Sequence, residues 1–243
     1  MPDAVPLVLL PALLCDAALF GDMLAYLGPG VSPLVLISSH ARLADSVADI
    51  LARAPPHFVL AGTSYGASLA IAVALAAPDR VTGLWLMGID PSGPDREQIL
   101  AFATLVENST DTAIGYLAVA VVHVLAAAAS EAFRAMATRV GGAVGGAQMR
   151  ALAARESLWD KLPALTMPTL VLWGAEDSLV RVSVGRALAA ALPNAQFHAL
   201  PACGHLPTLE QPRAVAAIAH AWLSEHWLPE HWLSEHRGPQ PTG

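Results

Sequence analysis

Short apolar runs alternate along the chain with stretches whose apolar residues recur at helical spacing. Val5 to Leu10 (VPLVLL), Pro33 to Ile37 (PLVLI), His57 to Ala61 (HFVLA), Val81 to Met87 (VTGLWLM), Thr169 to Trp173 (TLVLW) and Gln196 to Leu200 (QFHAL) read as strands. Most are apolar on successive residues, a pattern that suits strands covered on both faces of a parallel sheet. Between them, Ala17 to Leu27, Ala41 to Ala54, Tyr65 to Ala76, Val182 to Leu192 and Pro212 to Glu225 read as helices. The alternation predicts an α/β fold: a doubly wound, mostly parallel sheet with helices on both faces, joined by right-handed crossovers.

The alternation stops between Pro91 and Pro163. This segment is helical in composition, holds no convincing strand, and carries a glycine cluster at 141 to 146 that predicts a bend between helices. A helical insertion after one strand of a parallel sheet sits over the carboxyl edge, where ligands bind. The expected organisation is therefore a core of residues 1–90 and 164–228, a helical cap over 91–163 and a tail over 229–243. The most hydrophobic stretch, Ala113 to Ala129, reaches only the lower edge of membrane-spanning length and contains His123, so it predicts a buried or lid helix. Near the end, the unit WLxEH recurs at 222, 227 and 232. Its period is too short for a solenoid repeat and fits a terminal helix broken at Pro229, with a mobile end after Arg237.

Composition narrows the classes. Of the 243 residues, 55% are apolar and 14% charged, which excludes global disorder. A net charge of −7 with no long basic run argues against a nucleic-acid partner. Pro6 and Pro11 interrupt the first apolar segment, and no basic region precedes it, so no signal peptide is read and a cytoplasmic protein is expected. Cys15 and Cys203 form no disulfide framework, and the bland expectation is two small buried fillers.

The candidate chemistry centres on Gly62-Thr63-Ser64-Tyr65-Gly66, placed between a strand and a helix. A G-x-S-x-G in that setting is a nucleophile elbow. The serine takes a strained backbone conformation to lift its hydroxyl above the strand end, and the glycines give neighbouring backbone room. A serine hydroxyl needs a base. Of nine histidines, His205 stands out, on a glycine- and proline-bearing loop after the last strand and before the final helix. The base needs an orienting carboxylate. Asp177 and Glu176 both follow the strand ending at Trp173, and Asp90 ends the strand before the insertion. The order Ser64, Asp177, His205 is the chain order of this kind of triad. An oxyanion hole is expected from the backbone N–H of Tyr65 and from the loop after the first strand, at Leu13 or, behind it, Leu14.

The stretches VLLPALLCDAALF, GTSYGASLAIAVA, PTLVLWGAEDSLV and CGHLPTLEQP, in that order, resemble the α/β-hydrolase family over residues 5 to 225. Within it the chain is similar to small capped esterases and enol-lactone hydrolases. The resemblance implies a Ser-His-Asp triad with Asp177 as the acid and His205 as the base, no metal, no organic cofactor, and a small-molecule ester substrate selected by a helical cap. Pro11-Ala12 stands where many members carry His-Gly, which leaves the aim of the Leu13 amide open. The same triad serves lactone or C–C bond hydrolysis and peracid formation. A charged substrate would need cationic cap residues, and Arg134, Arg139, Arg150 and Arg155 lie in the insertion, where they equally read as solvated charges on helix faces. A non-catalytic binding module built on the same cleft is the reading from a different class.

Overall fold

A computed structural model describes residues 4–227. Six strands, β1 (Val5–Leu10), β2 (Val31–Val35), β3 (Phe58–Thr63), β4 (Val81–Met87), β5 (Thr169–Gly174) and β6 (Ala195–Leu200), form one parallel sheet in the order β2-β1-β3-β4-β5-β6. The chain leaves β1 toward β2 and then crosses to β3 on the other side. The loops after β1 and β3 therefore diverge from adjacent strand ends, the position where parallel sheets open a ligand crevice.

Successive residues of each central strand face opposite helix layers. Leu7, Leu9, Val59, Ala61, Trp85 and Met87 belong to one core cluster, and Val8, Leu10, Leu60, Leu84 and Leu86 to the other. This two-sided burial is the cause of the continuous apolar runs. The edge strands read less clearly. Ser32 and Pro33 of β2 are exposed, and Pro33 sits where an edge strand tolerates a missing N–H. The strand begins at Val31, opposite Val5, two residues before the apolar run suggests. β3 likewise runs two residues past the predicted Ala61, straight into Ser64.

The helices are α1 (Gly21–Leu27), α2 (Leu43–Arg53), α3 (Tyr65–Ala76), α4 (Arg96–Asn108), α5 (Thr110–Ala120), α6 (Ala127–Ala153), α7 (Val182–Ala191), α8 (Pro207–Glu210) and α9 (Pro212–His226). The predicted helix over 17–27 splits at Phe20 into a 3-10 turn, capped by Asp16, and α1. α3 is buried almost all round, and its alanines let it lie close to the sheet. Trp222 of α9 packs edge-on against Trp227 at 5.0 Å between ring centroids. The later WLxEH unit, the Pro229 break and the tail lie outside the described residues.

The segment between β4 and β5 contains α4, α5 and α6, which pack on one another. Gly141, at φ 79°, kinks α6 within the predicted glycine cluster. The apolar stretch 113–129 is not one helix: α5 stops at Ala120 and α6 starts at Ala127. Polar capture breaks it. The His123 N–H donates to Glu210 Oε2 (3.0 Å), and the Ala120 carbonyl accepts from Ser178 Oγ (3.0 Å). Ser178 lies on the loop after β5 and Glu210 ends the short helix α8 after β6, so the insertion is fastened to the sheet's carboxyl edge.

Candidate active site

β3 delivers Ser64 into α3 through a turn at φ 55° and ψ −115°, a conformation that costs a non-glycine residue about 1–3 kcal/mol. Its backbone is held on both sides. The Ser64 N–H donates to the Met87 carbonyl (2.8 Å), and the Ser64 carbonyl accepts from Ala67 and Ser68. A Cβ on Gly66 would strike the carbonyl oxygens of Leu10 and Pro11, so only glycine lets the turn press against the loop after β1. Ser64 is half-buried, while the residues on either side of it are buried.

His205 and Asp177 meet in the interior. Nδ1 of His205 lies 2.8 Å from Asp177 Oδ2, and each side chain is 1% exposed. Asp177 Oδ1 accepts the N–H groups of Leu179 and Val180, both at 2.9 Å, which fixes the carboxylate's rotamer. The other imidazole nitrogen, Nε2, is buried and has no hydrogen-bond partner. The ring lies over the end of β4: a Cβ on Gly88 would stand 2.8 Å from His205 Cε1. Met87, the neighbour of Gly88, holds the Ser64 N–H. The serine and the imidazole therefore hang on consecutive residues of one strand end.

The alternative carboxylates are occupied elsewhere. Glu176 Oε2 accepts the Cys203 N–H (3.1 Å), and Asp90 Oδ1 accepts the Ser92 N–H (2.8 Å). Glu210, which sequence reasoning missed, brackets His205 by accepting from Gly204 (2.8 Å) and Leu206 (3.0 Å) as well as His123. Its signal was a carboxylate four residues after Leu206, placed to reach back to that residue's backbone N–H.

In the loop after β1, Leu14 stands at φ 58° and gives its N–H to Gln148 Oε1 (3.1 Å). The Leu13 N–H has no partner among the described residues. Tyr65 is the first residue of α3, so its N–H has no acceptor within the helix. Burial raises the Tyr65 phenol's pKa. The phenol approaches the Ser38 and Ser46 hydroxyls without completing a hydrogen bond.

Cys15 and Cys203 are free and buried, and burial pushes both thiols well above their ordinary value. Three of the insertion's five arginines are committed. Arg139 pairs with Asp16 (2.8 Å) and Arg150 pairs with Glu107 through both guanidinium and carboxylate branches. Arg155 is buried and donates to the carbonyls of Asp90, Pro91, Ser92 and Glu156. Among the described residues no cluster of three His, Cys, Asp or Glu side chains could hold a metal, and no helix is long and apolar enough to cross a membrane.

Comparison with known proteins agrees with this architecture. The chain is 30% identical over 181 residues to a 2-hydroxy-6-oxononadienedioate/2-hydroxy-6-oxononatrienedioate hydrolase of Paraburkholderia phymatum; the match spans 68% of this chain and 61% of that relative's length. The fold superimposes on a thermophilic esterase from Thermogutta terrifontis with a TM-score of 0.83 at 23% identity, covering 93% and 92% of the two chains. It superimposes on the enol-lactonase from Burkholderia xenovorans with a TM-score of 0.82 at 17% identity, covering 91% and 92%. The alpha/beta hydrolase family model matches residues 6–218, nearly the whole of the sheet and every loop that builds the site, and the chain belongs to that family.

Proposed function

We propose that the protein is a serine hydrolase that cleaves carboxylic esters of small to medium, largely apolar acyl groups through an acyl-enzyme. The observation that carries this reading is the state of His205. Its Nδ1 is bound to a buried carboxylate, its Nε2 is buried and unpartnered, and its ring sits beside the strand end that anchors Ser64. Other buried side-chain atoms here, the Tyr65 phenol among them, also lack a partner, but Nε2 belongs to a ring whose other nitrogen is held by a buried carboxylate, and its unmet capacity asks for a reason. A proton to be taken from Ser64 supplies one.

In this reading Ser64 Oγ attacks the ester carbonyl while His205 Nε2 accepts its proton. The imidazolium is stabilised by Asp177 through Nδ1–H. The N–H groups of Tyr65 and Leu13 stabilise the tetrahedral oxyanion, each worth about 3–4 kcal/mol in the transition state. His205 then protonates the leaving alcohol. Water attacks the acyl-enzyme with the same base, releasing the acid and restoring Ser64. The insertion over 91–163 is the cap of this site, and its alanine-, valine- and leucine-rich composition favours an apolar acyl group.

The P. phymatum relative's name motivates a second reading, C–C bond or lactone hydrolysis by the same residues. That named substrate is a diacid. Here Arg139 and Arg150 are paired with carboxylates and Arg155 is spent on backbone carbonyls, which leaves few cations for a dianion and favours the neutral ester. A panel of p-nitrophenyl esters, lactones and vinylogous diketone acids separates the readings. Ester turnover with the highest kcat/KM is expected. Turnover confined to the diketone acids would favour the second reading, and a folded protein inert to every member would refute both.

A further inference from the structure

Gln148 lies on the insertion, far in sequence from Ser64, Asp177 and His205, and is 1% exposed. A buried amide must place its acceptor on a donor and its donor on an acceptor. Gln148 does both across two core loops: Oε1 accepts the Leu14 N–H (3.1 Å), and Nε2 donates to the Ser38 carbonyl (3.3 Å). Leu14 needs such a hold, because it stands at φ 58°, a region that L side chains rarely occupy.

The hold is a built socket. Gly145 and Gln148 are three residues apart and share one face of α6 beyond its kink. A Cβ on Gly145 would strike the Leu14 side chain, so the missing side chain there receives Leu14 while Gln148 takes its backbone N–H. On the other side of the kink, Arg139 pairs with Asp16. The insertion thus grips residues 14 to 16 at three points. Leu13 is the next residue upstream, with a free N–H. Ser38, the other anchor, lies beside the phenol of Tyr65, the second proposed donor.

We propose that Gln148 is a positioning residue of the oxyanion hole: the insertion, when seated, sets the Leu13–Leu14 turn through Gln148 and so aims the Leu13 N–H at the developing oxyanion. This rests on the serine-hydrolase reading above. Pro11-Ala12 fixes the turn's entry and Gln148 fixes its exit, so the hole is complete only when the cap is in place.

The test uses the full-length protein and the variants Gln148→Met, Gln148→Glu and Gly145→Ala, each checked for folding by thermal melting. Steady-state hydrolysis of a p-nitrophenyl ester gives kcat and KM. Inhibition by a trifluoromethyl ketone reports oxyanion binding, because its hemiketal with Ser64 occupies the hole. In Gln148→Met, kcat should fall about 30- to 100-fold with KM within about threefold, and the ketone should bind weaker by a similar factor. Gln148→Glu retains an acceptor for Leu14 and should recover part of the loss. Gly145→Ala, which disturbs the socket but keeps the amide, should reproduce the pattern and decides the matter if Gln148→Met does not fold. An active parent whose folded socket variants keep kcat and ketone affinity within about twofold overturns this proposal and leaves the hydrolase reading standing. A folded parent that neither hydrolyses esters nor binds the ketone overturns both.

Discussion

Gly88 shows how narrowly the site is built at the residue scale. It has φ 62°, and a Cβ there would approach His205 Cε1 to 2.8 Å. Gly88→Ala should therefore displace the imidazole from its place on Asp177 and, in the proposed reaction, lower kcat about a hundredfold, since displacements near 1 Å cost that much. It should also destabilise the fold by about 1–3 kcal/mol through backbone strain. Ester kinetics and urea denaturation check the two effects separately. Ser64 and His205 were legible in the sequence because their local grammar is distinctive: a serine between glycines at a strand end, and a histidine on the last loop. Asp177 was one of three carboxylates by position, and chain order and the family resemblance favoured it, because spacing alone cannot show which one turns inward. Glu210 and Gln148 were not read at all. Each makes its hydrogen bonds to backbone groups, and a backbone group leaves no trace in residue identity.

At the scale of elements, the insertion is held where it leaves and rejoins the core. The Arg155 guanidinium satisfies the carbonyls of Asp90, Pro91 and Ser92 at the insertion's entry, and Leu158 N–H donates to the Pro91 carbonyl as well. Burial pulls this guanidinium below its ordinary pKa, yet the carbonyls keep it engaged. Arg155→Met keeps much of the stem's packing but strips those carbonyls of their donors. It should cost about 2–3 kcal/mol, read by urea denaturation, and expose residues 91–95 to limited proteolysis. The central strands were legible because burial on both faces makes them apolar throughout. The 113–129 stretch misled for a related reason. Its alanines and valines suit a helix, but the break comes from Glu210 and Ser178, residues distant in sequence whose side chains reach it only in the folded chain.

For the whole molecule, two ion pairs join parts that the sheet does not connect: Asp16–Arg139 links core to insertion, and Glu107–Arg150 links α4 to α6. Partial burial alone would raise the Asp16 pKa, but the hydrogen bonds from Arg139 and Ala18 and the Arg139 charge outweigh it and lower it. The Arg150 hydrogen bond is the main cause that lowers Glu107. A carboxylate with a depressed folded pKa contributes stability above its unfolded value of about 4 and loses it as pH falls through the folded one. The melting temperature should therefore drop on acidification below about pH 4, with a shallower fall in Asp16→Asn; an identical fall in both would remove Asp16 from the account. The doubly wound sheet was legible from strand-helix alternation alone, whereas the grip of the insertion on the loop after β1 was not, because it joins residues 14 and 148. The central claim, an activated serine at position 64, is tested most directly by a fluorophosphonate probe with the adduct mapped by mass spectrometry. A single adduct on Ser64, absent from folded Ser64→Ala, is the predicted result. A folded parent protein that takes up no probe, or takes it up at another residue while Ser64→Ala labels equally well, would contradict it.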